Sequence, residues 1–160
     1  MYESNIDELK KDYQIIQDKY NLPCFEELNK DFCIEKLSEI ETDYLIREIR
    51  KLIADKFVSY LKFVETLLHP VNVPIFILSI VRLIDNKDKA KLSKIYEKLA
   101  KSEIEIVELD LVFCETKEAE FINNSYSLWQ EIREDLLVFI RKIKNDWNVK
   151  PQINEKNYFG

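Results

Sequence analysis

The chain of 160 residues holds one glycine, and it is the last residue, Gly160. No internal position therefore offers the sterically free positive φ that two-residue hairpin turns need, which disfavours tight β-hairpins. Phosphate-cradling loops fall with them, because Walker-type and dinucleotide-binding motifs use glycines to bring backbone N–H groups up to a phosphate. Helix is what remains. A chain of this length buries roughly 70% of the surface its unfolded form exposes. Its 46% hydrophobic and 34% charged residues are the balance of a folded, helix-rich protein and not of a disordered one.

Apolar residues recur at helical spacing along most of the chain. Ile6, Leu9, Tyr13, Ile16 and Tyr20 mark a first helix ending near Asn21, with Ser4 placed to cap it and Asp7 three residues on. After Pro23, residues Phe25, Leu28 and Phe32 predict a short helix, followed by the loosely patterned CIEKLSEIE. From Thr42 to His69 a continuous stripe that includes Leu45, Ile49, Ile53, Phe57, Val64 and Leu68 predicts a helix of roughly 40 Å. Pro70 and Pro74 end it.

Val71 to Ile84 is the most apolar stretch, with Asn72, Pro74, Ser79 and Arg82 as its only exceptions. A membrane-spanning helix needs about 20 apolar residues, so fourteen are too few to cross. Asn72 as cap and Pro74 in the first turn predict a short helix, apolar nearly all round, whose expected place is the interior of the bundle. A homodimer or partner surface is the alternative.

Asp85 or Asn86 is placed to cap the next helix, in which Leu92, Ile95, Leu99 and Ile106 point one way. Its continuation, SEIEIVELDLVF over residues 102–113, alternates as a strand would, yet no second strand offers it a partner, so helix is the expectation. From about Thr116 to Trp147 apolar residues repeat at seven: Ile122, Trp129, Leu136 and Ile143, with Tyr126, Ile140 and Trp147 in the complementary row. The tail NVKPQINEKNYFG has Pro151, several asparagines and no periodicity, and is expected to pack only through Tyr158 and Phe159. The reading is an all-α, single-domain antiparallel bundle of five to six helices over residues 1–150. Helices at about 42–69 and 116–147 form the spine, and residues 151–160 are an irregular tail.

The net charge of −6 is unevenly spread. Residues 1–41 carry 5 basic and 11 acidic side chains, residues 102–120 carry 1 and 7, and residues 71–101 reverse the sign with 7 and 3. Lys87, Lys91, Lys94, Lys98 and Lys101 fall within about 80° of one helix face over about 20 Å. Such a ladder suits an anionic partner, a phosphate backbone included, and would bind it with steep salt dependence. It has no interleaved aromatics or arginines, so sequence-specific nucleic-acid recognition is not expected. The bland reading of the ladder is a solvated helix face.

Reactive machinery is sparse. Cys24, Cys33 and Cys114 form an odd set without CxxC spacing, which reads as buried thiols in a reducing cytosol and not as a disulfide or zinc framework. The start MYESNIDELKKDY lacks the apolar segment of a secretory signal, so a cytoplasmic location is expected. His69 is the only histidine, four residues after Glu65. That pair supplies two metal ligands at most, and the histidine reads more simply as a helix C-terminal cap.

Glu115, Glu118, Glu131 and Glu134 read ExxE, twelve residues, ExxE. This resembles the ExxE…ExxD pattern of all-α nucleoside triphosphate pyrophosphohydrolases of the MazG kind, over twenty residues. The last position holds Glu134, with Asp135 one place late. The resemblance implies acids on facing helices that hold Mg²⁺ against a triphosphate. To face one another these carboxylates need a turn between them, for instance at Asn123, Asn124 and Ser125. The seven-residue repeat runs through that segment, so one helix is expected, which strings the acids along roughly 30 Å, too far for one metal. The preferred expectation is a non-enzymatic helical interaction module without a cofactor, binding another protein or a second copy of itself. The Mg²⁺-dependent hydrolase is the alternative.

Overall fold

The structure, a computed structural model, describes residues 2–147, and the predicted irregular tail with Tyr158 and Phe159 lies outside them. Six α-helices and one 3-10 segment appear among the described residues, and no strand. They are α1 (Tyr2–Tyr20), α2 (Phe25–Phe32), the 3-10 segment Ile34–Glu39, α3 (Leu45–Leu68), α4 (Ile75–Val81), α5 (Asn86–Leu111) and α6 (Glu115–Trp147). The all-α bundle is as the periodicity predicts.

The long helices form the frame. Arg50 near the start of α3 meets Asp110 at the end of α5 and Glu118 at the start of α6. Hence α5 runs antiparallel to α3, and α6 runs parallel to it. The most extensive packing is α3 on α5, then α3 on α6. At their centre Phe57 lies against Phe32, Phe121 and Trp129, with ring centroids 6.4, 6.5 and 6.2 Å away. Burying such a ring or a branched aliphatic side chain contributes about 1.5–3 kcal/mol, so this cluster outweighs any single polar contact in the fold. The predicted row Ile122, Trp129, Leu136 and Ile143 is buried throughout.

Shorter elements close the flank. Tyr13 of α1 is buried and donates its hydroxyl to the Pro23 carbonyl at 2.6 Å, which pins the α1–α2 corner. Burial pushes its phenol well above the ordinary value of 10.0, with the nearby Cys24, Glu26 and Glu27 adding in the same direction. Asp31 of α2 accepts from Gln130 at 2.6 Å and Arg133 at 3.3 Å on α6. Lys56 of α3 donates to the Asp31 carbonyl and lies 4.4 Å from the Trp129 ring centre.

Several expectations are corrected. Helix α1 begins at Tyr2, so Ser4 lies inside it and does not cap it. The CIEKLSEIE stretch is ordered as 3-10 helix because Ile34 and Leu37 reach the core. Cys33 is exposed in a left-handed conformation (φ 53°) at the end of α2, and Cys24 and Cys114 are half-buried, so none is a core thiol. Residues 102–111, by contrast, continue α5 as helix as expected, turning Ile106 and Leu109 inward. His69 is the C-cap of α3, as expected, through its backbone N–H, which donates to the Glu65 carbonyl at 2.8 Å, and the residue is exposed.

The largest correction concerns residues 71–84. Asn72 does not cap; it takes a left-handed φ of 52°, and Pro74 is the residue before the helix. The helix that follows is seven residues long and is not enclosed by the bundle. Its reason lies in lengths. Helix α6 has 33 residues to the 24 of α3 and so runs about 14 Å longer. Helix α4 packs on α3 at that end. Only Ile80 is fully covered, with Ile77 and Val81 partly so.

Candidate interaction surface

At 100° per residue the inward residues Ile77, Ile80 and Val81 occupy one side of α4, leaving Ile75, Phe76, Leu78 and Ser79 on the other. That outward side is apolar except for the serine. Ile75 is 82% exposed, Phe76 61%, and Val71 in the preceding turn 76%. Trp147 on α6 meets Phe76 with ring centroids 5.6 Å apart and is itself 43% exposed. Ile140 lies two turns before Trp147 on the same side of α6 and is also exposed. The complementary row of the seven-residue repeat is therefore uncovered toward its C-terminal end, although the sequence predicts it inside.

Basic groups border this surface. Arg82 closes α4, Arg141 follows Ile140, and Lys144 sits on α6 between Ile140 and Trp147. All three are exposed and make no ion pair among the described residues. Lys142, by contrast, is committed to Asp85 at 2.7 Å and to Asp88, the two residues of the α5 capping box. Those contacts push the lysine above its ordinary value, and the Lys142 ammonium together with the Asp88 N–H holds the Asp85 carboxyl down at about 2. An apolar centre with an accessible polar rim is the anatomy of a protein-binding patch, and isolated exposed hydrophobes do not have it.

The four glutamates do not converge. Helix α6 is continuous through Asn123, Asn124 and Ser125, so Glu115, Glu118, Glu131 and Glu134 are strung along one rod. Each has its own cationic neighbour: Lys19 at 3.3 Å from Glu115, Lys98 on Glu131, Arg133 at 3.6 Å from Glu134. Among the described residues no group of three or more His, Cys, Asp or Glu side chains is placed to hold a metal.

Glu118 is different from the rest. It has no exposed surface, and its Oε1 lies 3.5 Å from Arg50, which is 1% exposed, and 3.8 Å from Arg47. Arg50 also reaches the half-exposed Asp110 at 2.9 Å. Desolvation pushes the Glu118 carboxyl above the ordinary 4.5, against the pull of Arg50 and Arg47. Nothing in the sequence couples positions 50, 110 and 118. The cluster ties the starts of α3 and α6 to the end of α5.

Lys87, Lys91, Lys94, Lys98 and Lys101 are all exposed on α5, as the ladder predicts. Lys98 is held by Glu131. No described helix is long and apolar enough to cross a membrane. No family model matches the chain, and no curated protein or solved structure does either.

Proposed function

We propose that this protein is a helical interaction module and that it binds another protein chain through the outward side of α4 together with Ile140 and Trp147. The observation that supports this is Ile75 at 82% exposure beside an exposed Phe76–Trp147 ring pair, tilted by 56° to one another. Leaving an isoleucine and a phenylalanine in water forgoes about 1.5–3 kcal/mol for each, a loss a bound partner recovers. Tryptophan with bordering arginine is also the composition that dominates binding energy at interfaces. The metal-assisted hydrolase implied by the ExxE pair lacks comparable support, because its four carboxylates are dispersed and separately paired.

The test compares wild type with Phe76→Asp. Chains retained by the immobilised protein are identified, purified and titrated against both forms by calorimetry. The reading requires at least a tenfold loss of affinity in the variant, with helicity unchanged by circular dichroism. Equal affinity for the two forms removes α4 as the docking surface.

A further inference from the structure

The opposite end of the bundle carries a second uncovered apolar surface. Helix α5 turns Ile106 and Leu109 inward, which leaves Ile104, Val107 and Leu111 as a stripe on its outer side, with Leu111 80% exposed. Beyond it Phe113 meets Tyr44 edge-on at 5.3 Å, and both rings are exposed. This surface is bordered by acids. Residues 39–50 and 102–120, which converge at this end, hold 11 acidic and 3 basic side chains. Residues 69–94 and 136–147, which converge at the α4 end, hold 8 basic and 3 acidic ones. From Glu118 to Trp147 the two ends are about 45 Å apart along α6.

We infer that the partner of the α4 surface is a second copy of this chain, docked head to tail by its acidic α5–α6 end. The inference rests on the reading of α4 as an interaction surface and deepens it. Charge decides the pairing. Two α4 ends brought together would set Arg82, Arg141 and Lys144 against their own kind, and two acidic ends would do the same with Glu105 and Asp43; like charges across an interface are a strong penalty. Only unlike ends place apolar centre on apolar centre and basic rim on acidic rim. Such a contact is heterologous: an open assembly of any length keeps one unused end of each kind, one at each terminus, so growth continues unless a ring closes. Added salt weakens the rims and leaves the apolar contact, so association falls with ionic strength without vanishing.

The experiment mixes two singly blocked variants. Ile75→Asp blocks the α4 end, and Leu111→Asp blocks the acidic end; both side chains are so exposed that the fold does not depend on them. In sedimentation velocity across the micromolar range, wild type should rise beyond the 19.2 kDa monomer without stopping at a dimer. Each variant alone should remain monomeric, and an equimolar mixture should give a dimer and nothing larger. If Leu111→Asp alone still dimerises, or the mixture stays monomeric while wild type associates, the head-to-tail arrangement is overturned. If wild type is monomeric throughout, self-association is overturned. The calorimetric loss with Phe76→Asp then judges the α4 surface by itself.

Discussion

Removing Arg50 should cost far more than neutralising its partner Glu118, and the excess should depend on pH. Arg50→Met leaves a carboxylate with no exposed surface facing only Arg47 at 3.8 Å, with its Oε2 unpartnered. That carboxyl can escape stranded charge by binding a proton. Protonating a group of ordinary value 4.5 at pH 7 costs about 3 kcal/mol, which caps the stranded-charge penalty. Glu118 sits in the first turn of α6 at the bundle end, and its value is already raised in the wild type, so part of that penalty is present before the substitution. Loss of the contact to half-exposed Asp110 adds less than about 1 kcal/mol. The sum is about 3 kcal/mol at pH 7.

Glu118→Gln is the opposite case. Arg50 keeps Asp110 at 2.9 Å, and the amide has no desolvated charge, so the change should stay within about 1 kcal/mol. The sign of the pH effect follows from the raised value. A carboxyl that binds protons more tightly in the native state contributes stability fully below its unfolded value, near 4.5, and loses it as pH rises through the native one. Arg50→Met raises the native value further and so steepens this loss; its cost should shrink toward about 1 kcal/mol at pH 4.5. Urea unfolding followed by circular dichroism reads this directly, since 3 kcal/mol moves the midpoint by roughly 1.5 M at a slope of about 2 kcal/mol per molar. Arg50→Met combined with Glu118→Gln should recover most of the loss. Equal costs for the two single variants, or a cost for Arg50→Met that does not change between pH 7 and 4.5, would refute the reasoning.

Tyr13→Phe removes the hydrogen bond to the Pro23 carbonyl and should cost about 1 kcal/mol in the same assay. In the folded wild type the Tyr13 phenol should stay protonated through the pH range where exposed tyrosines ionise, which absorbance near the phenolate band detects. Ile53→Ala, at a fully buried position on α3, should cost about 2–5 kcal/mol, against near neutrality for Ile75→Ala. Asp85→Asn keeps an N-cap acceptor for the Asp88 N–H but removes the charge that holds Lys142 against the start of α5. Amide exchange should quicken in the first turn of α5, and in wild type the same turn should loosen as pH falls through the Asp85 value of about 2.

What the sequence made legible was periodicity with a single inner face. Ile122, Trp129, Leu136 and Ile143 repeat at seven and are all buried, as are Ile49, Ile53, Phe57 and Val64 of the α3 stripe, with Leu45 and Leu68 partly covered at its two ends. The Arg50–Glu118–Asp110 cluster was not legible, because it joins residues 68 and 60 positions from Arg50 whose meeting depends on how α5 and α6 register against α3. Asp31 with Gln130 and Arg133 escaped for the same reason: a contact about a hundred residues apart in sequence leaves no local pattern.

Residues 71–84 failed differently, and composition held the information needed to place them. A helix resting on the edge of a bundle buries a stripe of about 100°, which in seven residues covers two or three side chains. Helix α4 has six apolar residues out of seven, so at an edge at least three must face outward. Interior placement was the only way to avoid that, and it required neighbours on every side from a chain whose long helices already pack on one another. The same surplus recurs in residues 102–113, where Ile106 and Leu109 satisfy the core and Ile104, Val107, Leu111 and Phe113 are left over. Apolar residues in excess of what the geometry can bury mark both ends of this molecule. The charge segregation that accompanies them, basic at one end and acidic at the other, is what turns two leftover surfaces into a complementary pair.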